Sequence, residues 1–143
     1  NGKISQSVGI IIEEPAFLAH TSGYKNLEYL YMIRNKVNRE HLKQVLSRVG
    51  LDPDAKKPVD KYSLGMRQRL AIAQAIMENP DILILDEPFN GLDNHGVEDM
   101  RELFLDLKQH GKTILVASHN PEDIRLLCDS VYQMNAGVLE QTR

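Results

Sequence analysis

The chain has little of what marks a secreted, membrane-spanning or disulfide-bonded protein. Its one cysteine, Cys128, excludes an internal disulfide and suits a reducing compartment. The longest purely apolar runs, such as residues 82–85, are four or five residues, whereas a bilayer span needs about 20. Residues 1–7 lack the apolar core of a signal peptide, so the sequence gives no support for secretion.

An excess of basic residues is also absent. The formal net charge is -3, which argues against a protein that binds nucleic acid through a basic face. Hydrophobic residues make up 42% and charged residues 26% of the 143 positions, values typical of a soluble globular protein. This length is enough for one compact domain with a buried core.

The first half of the chain is predicted to be mostly helical. The β-branched run 8–12 predicts a buried strand, which Glu13, Glu14 and a proline end. Apolar spacing predicts helices over 24–34 and 38–50. The first is capped by Thr21 or Ser22, and the second ends at a left-handed Gly50. Ser63 is predicted to cap a third helix that closes at Asn79-Pro80.

The second half has an α/β pattern. The apolar run 82–85 predicts a parallel strand covered on both faces. A helix with Val97, Met100, Phe104 and Leu107 on one side follows, and a strand over 113–117 completes a βαβ unit. Another helix begins at Asn120-Pro121, with inward-facing positions at Ile124, Leu127 and Cys128. The end of the chain predicts a hairpin that turns at 135–137.

Three polar residues follow the two central strands directly. Asp86 and Glu87 come after the first strand, and His119 follows the second. Since parallel strands end at one edge of a sheet, these side chains are expected to lie together where α/β proteins bind ligands. There, an Asp can hold Mg²⁺ on a nucleotide and a Glu can orient or deprotonate water. The alternative is a strand that ends in solvated acids, with a surface histidine beside it.

The start of the third predicted helix has the character of an anion site. Ser63 offers a hydroxyl beside free backbone N–H groups, and Gly65 lets a phosphate approach closely. The alternative is that Ser63 serves only as the helix N-cap.

Four motifs resemble those of the ATP-binding cassette (ABC) ATPases. Residues 62–69 (YSLGMRQR) resemble the signature motif, and residues 82–88 (ILILDEP) resemble the Walker B strand with its glutamate. Residues 91–93 (GLD) match the D-loop, and Ser118-His119 matches the switch histidine. The resemblance implies an α/β fold: half of a P-loop NTPase-type parallel sheet plus an ABC helical subdomain. About 14–78 would form that subdomain and about 79–143 the C-terminal part of the core.

The resemblance implies a role in ATP hydrolysis for the residues at the strand ends. Asp86 would bind Mg²⁺ through water, Glu87 would polarise the attacking water, and His119 would contact the γ-phosphate of ATP. Glu13 occupies the Q-loop position, where the family has a glutamine that meets Mg²⁺ and couples to the permease. A carboxylate there reaches the metal as well, but its charge alters the site.

Three further residues are implied to act across a dimer. Ser63 and Gly65 would touch the γ-phosphate of nucleotide held by a second ATP-binding subunit, in a homodimer or a heterodimer. Asp93 would bridge the interface between the subunits. The resemblance therefore implies a site that is complete only in a head-to-tail dimer.

The signature motif departs from the family's usual Leu-Ser-Gly-Gly-Gln. It is Tyr-Ser-Leu-Gly-Met over residues 62–66, without one glycine and the glutamine. This form, together with Ile-Glu-Glu-Pro over residues 12–15, is similar to exporters of the bacitracin and lantibiotic self-protection type. Export of a peptide antibiotic is the transport reaction that the resemblance implies.

A Walker A loop, Gly-x-x-x-x-Gly-Lys-Ser/Thr, does not occur in these 143 residues. The triplet Gly111-Lys112-Thr113 lacks the earlier glycine and runs from a helix into a strand, the reverse of the P-loop order. The chain is therefore expected to be a fragment that begins after the P-loop. Such a fragment is expected to bind ATP weakly, hydrolyse none and expose apolar surface that favours self-association.

The expected partners are membrane permease subunits, which would place the protein at the cytoplasmic face of the cell membrane. The helices from Tyr24 to Gly50 lie in the region that the family uses to contact the permease. One alternative is an ABC ATPase that acts on chromosomes or nucleic acid, but the long coiled coils or basic linkers of that class are lacking, and no nucleic-acid partner is expected. Another alternative is a non-catalytic interaction module, against which the intact Asp86, Glu87 and His119 argue.

Overall fold

The structure, a computed structural model, describes residues 8–143 as an α/β arrangement. The order of helices and strands, with the βαβ unit in the second half, confirms the sequence prediction. The helices and strands are, in chain order, β1 (Val8–Ile11), α1 (Gly23–Tyr31), α2 (Arg39–Arg48), a 3-10 turn (Val59–Lys61), α3 (Leu64–Ile76), β2 (Ile82–Asp86), α4 (Asn94–Gln109), β3 (Thr113–Ala117), α5 (Pro121–Leu127), β4 (Tyr132–Asn135) and β5 (Val138–Gln141).

Strands β1, β2 and β3 form one parallel sheet in that spatial order. Ile11 pairs with Leu85, which pairs in turn with Val116, so the three carboxyl ends lie at the same edge. Strands β4 and β5 form the predicted antiparallel hairpin. Its turn places Ala136 and Gly137 at φ 48° and 82°, the left-handed pair that a two-residue hairpin turn requires.

Only one face of the parallel sheet is buried among the described residues. Leu83 and Leu85 on this face are each 1% exposed. Helix α3 approaches so closely here that a Cβ on Gly9 would lie 2.0 Å from the Ala75 carbonyl oxygen. On the other face, Ile10 is 50% and Leu115 is 63% exposed. The prediction of a buried strand over 8–12 is therefore wrong for Ile10. In β2, for which the run 82–85 predicts cover on both faces, Ile82 and Ile84 on this second face are only half-buried, because a run of apolar residues does not specify what covers it.

The helical region packs α1, α2 and α3 around fully buried leucines, and its caps confirm the local predictions. Ser22 Oγ accepts a hydrogen bond from the Lys25 amide at 3.2 Å, and Gly50 has φ 81° after α2. Helix α1 ends at Tyr31 rather than Arg34, because the amides of Ile33 and Arg34 bond to carbonyls three residues back. None of the helices among residues 8–143 is long and apolar enough to cross a membrane.

A buried acid in α1 forms a pH-sensitive pair with a tyrosine. Glu28 accepts hydrogen bonds from the Tyr24 hydroxyl at 2.6 Å and from Lys25 Nζ at 2.9 Å. Burial, followed by the hydrogen bond to Glu28, raises the pKa of Tyr24 from its ordinary 10.0 to about 12. The same hydrogen bond, followed by that from Lys25, lowers the pKa of Glu28.

We expect this pair to stabilise the fold only between two pH limits. The raised pKa of Tyr24 makes its contribution complete below pH 10 and lost as the pH rises through about 12. The Glu28 contribution is present above the ordinary pKa of 4.5 and lost as the pH falls through the lowered value. An ultraviolet titration that follows tyrosinate formation tests this assignment. Glu28→Gln should lower the pKa of the last tyrosine ionisation, and Tyr24→Phe should remove that ionisation altogether. The control Glu40→Gln, at an exposed position of α2, should leave that pKa unchanged. An unchanged titration in Glu28→Gln would contradict the assignment.

Candidate functional site

The chain turns sharply at the carboxyl end of β2. Asp86 pairs with Ala117 across the sheet, and the Glu87 amide then donates a hydrogen bond to the Ala117 carbonyl oxygen at 2.9 Å. Glu87 itself has φ 46°, an uncommon left-handed conformation for a residue with a side chain. The turn leaves Asp86, Glu87 and, two residues beyond β3, His119 at one edge of the sheet.

Glu87 and His119 are in direct contact at this edge. His119 Nδ1 hydrogen bonds to Glu87 Oε1. The side chain of His119 is 98% exposed and that of Glu87 is 28% exposed. The hydrogen bond that His119 donates to Glu87, followed by the negative charges of Glu87 and Asp86, raises the pKa of His119. The pair can therefore share and hold a proton beside a carboxylate that faces solvent.

Asp86 suits a metal that arrives with a nucleotide. It is exposed, and it has no ion pair or side-chain hydrogen bond with any residue in 8–143. No group of three or more His, Cys, Asp or Glu residues in this range could hold a metal ion. Mg²⁺ at nucleotide sites takes one or two carboxylates together with phosphate oxygens and water. The exposed carboxylate of Asp86 fits such a shared site.

Glu13 lies close to the same edge of the sheet. It is exposed and follows the end of β1 by two residues, and β1 is paired with β2 up to Ile11 and Leu85. The neighbouring Glu14 has a carboxylate oxygen 3.4 Å from Arg67 Nε on α3. The segment after β1 is therefore tied to the helix that carries the signature-like sequence.

Ser63, Gly65 and Asp93 lie together at the starts of two helices. Ser63 Oγ accepts the Met66 amide at 3.1 Å, and Asp93 Oδ1 accepts the Gly96 amide at 2.7 Å, so each is an N-cap. A Cβ on Gly65 would lie 3.0 Å from the Gly91 carbonyl oxygen. Within residues 8–143, none of the three hydrogen bonds to Glu87 or His119. The structure thus places the seven predicted site residues in two groups.

Two polar contacts that support the edge group were missed by sequence reasoning. Gln68 Nε2 on α3 donates to the Pro88 carbonyl oxygen at 2.8 Å, directly after Glu87. Asp123 on α5 is buried and accepts a hydrogen bond from Arg101 Nε at 2.9 Å. In the sequence, Asp123 is only an acid in the first turn of a helix, and nothing in its spacing indicates burial.

The family model described as "ABC transporter" matches residues 2–90. The chain is 45% identical over 135 residues to the uncharacterized ABC transporter ATP-binding protein YybJ of Bacillus subtilis, covering 94% of this chain and 62% of that protein. It is 42% identical over 133 residues to the bacitracin transport ATP-binding protein BcrA of Enterococcus faecalis, covering 92% of this chain and 43% of that protein. The chain spans roughly half the length of the curated relatives it matches.

A solved structure shows the same architecture. The chain matches cbiO1 of Clostridium perfringens, part of the ABC transporter complex cbiONQ, with a TM-score of 0.78 and 31% identity. The match covers 96% of this chain and 57% of that one. The α/β fold of the chain is therefore that of an ABC transporter ATP-binding protein. The chain belongs to the ABC transporter family.

The capping role of Ser63 makes a stability prediction. Ser63→Ala removes the acceptor of the Met66 amide, and loss of an N-cap costs about 1 kcal/mol of the free energy of unfolding. Urea denaturation should show this loss, whereas Ser47→Ala, at an exposed position of α2, should change the free energy by less than about 0.5 kcal/mol. Equal stability of the Ser63→Ala and parent chains would show that the cap contributes nothing.

Proposed function

We propose that the chain is part of the ATP-binding and ATP-hydrolysing subunit of an ABC transporter. One observation carries the proposal: Asp86, Glu87 and His119 meet at the carboxyl edge of the parallel sheet, and Glu87 hydrogen bonds to His119. Positioned charges of this kind are what phosphoryl transfer to water requires, because the reaction depends on orientation and charge stabilisation.

The residues of the edge have distinct roles in the proposed reaction. Asp86 would hold Mg²⁺, and a bound Mg²⁺ would supply positive charge against the phosphates of ATP. Glu87 accepts a hydrogen bond from the attacking water and orients it towards the γ-phosphate. His119, with a pKa raised by Glu87, donates a hydrogen bond to the γ-phosphate. Glu13 lies at the Q-loop position, where its charge would act on the same metal.

The second group of residues acts on a different ATP molecule. Ser63 is exposed and Gly65 half-buried at the start of α3, and neither hydrogen bonds to the edge group within residues 8–143. We infer that they contact the γ-phosphate of ATP held by a second ATP-binding subunit in a head-to-tail dimer, and that Asp93 bridges the interface. This arrangement gives both groups a function although they do not meet within one chain.

The proposed partner is a membrane permease at the cytoplasmic face of the cell membrane. Residues of about 14–78 form the helical subdomain and about 79–143 the C-terminal part of the core. The subdomain carries exposed apolar side chains suited to a protein partner, including Tyr29 at 53% and Ile33 at 74% exposure. Relatives named for bacitracin and lantibiotic transport support export of a peptide antibiotic or a similar substrate.

These 143 residues alone are expected to bind ATP weakly and to hydrolyse none of it. They contain no Gly-x-x-x-x-Gly-Lys-Ser/Thr sequence, and such a loop supplies the backbone amides and the lysine that hold the phosphates. A phosphate-release assay on the purified chain should give the rate of the buffer blank. Turnover that Glu87→Gln abolishes would contradict this expectation.

The link to bacitracin-type transport is tested by replacing a segment of a relative. The bacitracin transport ATP-binding protein BcrA of Bacillus licheniformis matches this chain over 138 residues, which is 45% of its length, at 41% identity. In a host that depends on BcrA for bacitracin tolerance, a BcrA in which this chain replaces the matching segment should restore tolerance. The same protein with Glu87→Gln is the matched control. A stable, ATP-hydrolysing hybrid that restores no tolerance would contradict the proposal that this chain can drive a bacitracin transporter.

A further inference from the structure

A network of polar side chains holds the loop that carries His119, residues 118–120. This network is separate from the hydrogen bond between His119 and Glu87. Ser118 Oγ donates a hydrogen bond to Asp123 Oδ2 at 3.0 Å and accepts one from the Asn120 amide at 3.1 Å. The other Asp123 oxygen, Oδ1, accepts a hydrogen bond from Arg101 Nε at 2.9 Å. Ser118 therefore hydrogen bonds directly to the Asp123 carboxylate, and Asn120 is connected to it through the Ser118 hydroxyl. These are the two residues that flank His119.

That carboxylate is the least exposed acid of the described residues and is fully partnered. Asp123 is 3% exposed, and the side chain of Arg101 is 13% exposed. Burying a charge is costly unless it is paired and hydrogen bonded, so the Asp123 side chain has little freedom to move. Arg101 lies on α4 and Asp123 on α5, so the network anchors the loop to two helices at once.

His119 itself lacks packing that would fix its position. Its side chain is 98% exposed, and within residues 8–143 its side-chain hydrogen bond is to Glu87 alone. The orientation of the imidazole must therefore come from the backbone of residues 118–120. Apart from the backbone itself, three side chains hold this segment: the Ser118 hydroxyl, the Asp123 carboxylate and Asn120, whose Oδ1 accepts a hydrogen bond from the Glu122 amide at 3.0 Å. Of the three, the Ser118 hydroxyl is the one that connects the residue directly before His119 to the Arg101–Asp123 pair.

We propose that Asp123 is a positioning residue that acts through Ser118 to hold His119 against Glu87. Arg101 keeps the Asp123 carboxylate in place, and the Ser118 hydroxyl transmits that position to the loop. The importance of His119 for turnover rests on the proposed function, whereas the positioning is a property of the loop and is measured without ATP.

Nitrogen-15 relaxation of the purified chain tests the proposal. In the parent chain, the amides of His119 and Asn120 should have order parameters near 0.85, the value of rigid backbone, and nuclear Overhauser effects should join the His119 and Glu87 side chains. Ser118→Ala keeps the Arg101–Asp123 pair but removes the hydroxyl. It should lower both order parameters below about 0.6 and abolish the His119–Glu87 signals. Asp123→Asn should do the same.

Matched variants separate positioning from general loss of structure. Ser118→Thr keeps the hydroxyl and should preserve the ordered loop, and Glu122→Gln removes an adjacent exposed charge and should have no effect. Elsewhere, the amide spectrum of Ser118→Ala should match that of the parent. A loop that stays ordered in Ser118→Ala, or one that loses order in Ser118→Thr, would overturn the proposal. Ordered loops in a protein that fails to hydrolyse ATP would contradict the proposed function only.

Discussion

Glu87→Gln is expected to reduce ATP hydrolysis by about 10²–10⁴-fold, the range that general acid–base groups contribute. The measurement is phosphate release by the hybrid of this chain with BcrA, which supplies the segments that the chain lacks. Glutamine keeps the size of the side chain but cannot accept a proton from water, and it loses the charge that attracts the His119 imidazole. In the proposed mechanism Glu87 contacts the attacking water and not the nucleotide, so ATP binding by the variant should remain.

The matched control for this experiment is Glu98→Gln. Glu98 is an exposed residue of α4 and forms no ion pair within residues 8–143. The same loss of charge at this position should leave phosphate release within about twofold of the unsubstituted hybrid, since surface substitutions away from a site change little. Hydrolysis by Glu87→Gln at the rate of Glu98→Gln would remove Glu87 from the mechanism.

Leu83→Ala is expected to cost about 2–5 kcal/mol of the free energy of unfolding, the usual cost of emptying a buried leucine site. Leu83 lies within β2 and is 1% exposed. If Gly9 carried a Cβ, that atom would lie only 2.7 Å from Leu83 Cδ2. Packing this close leaves the surrounding atoms little room to collapse into the cavity. Urea denaturation of the chain measures the loss.

Leu115→Ala provides the comparison on the other face of the sheet. Leu115 is 63% exposed in β3, so the substitution should cost less than about 1 kcal/mol. Equal costs at the two positions would mean that the second face is covered in solution. If a second copy of the chain covers it, the cost at Leu115 should rise with protein concentration.

Local signals account for what the sequence predicted correctly. Ser22, Ser63 and Asn120 each cap the helix that was predicted to follow, because the N-cap interaction involves only residues within three positions. Gly50 and Gly137 take the left-handed conformation that turn geometry requires. The order of strands and helices follows from these signals and from the apolar runs between them.

Contacts between distant segments account for what was missed. The sequence predicts that Glu87 and His119 lie at one edge, since both follow parallel strands, but their hydrogen bond depends on the left-handed turn at Glu87. The burial of Asp123 depends on Arg101, 22 positions earlier. No local pattern encodes either contact.

Phosphate release from MgATP by the hybrid protein tests the central claim most directly. We expect the hybrid to hydrolyse ATP at a rate within about tenfold of that of BcrA itself, because the edge group of this chain would supply the carboxylates and the histidine that the reaction needs. The isolated chain, measured beside it, should remain at the blank. A hybrid that folds and binds ATP but releases phosphate no faster than the blank would contradict the claim that Asp86, Glu87 and His119 form a hydrolytic site.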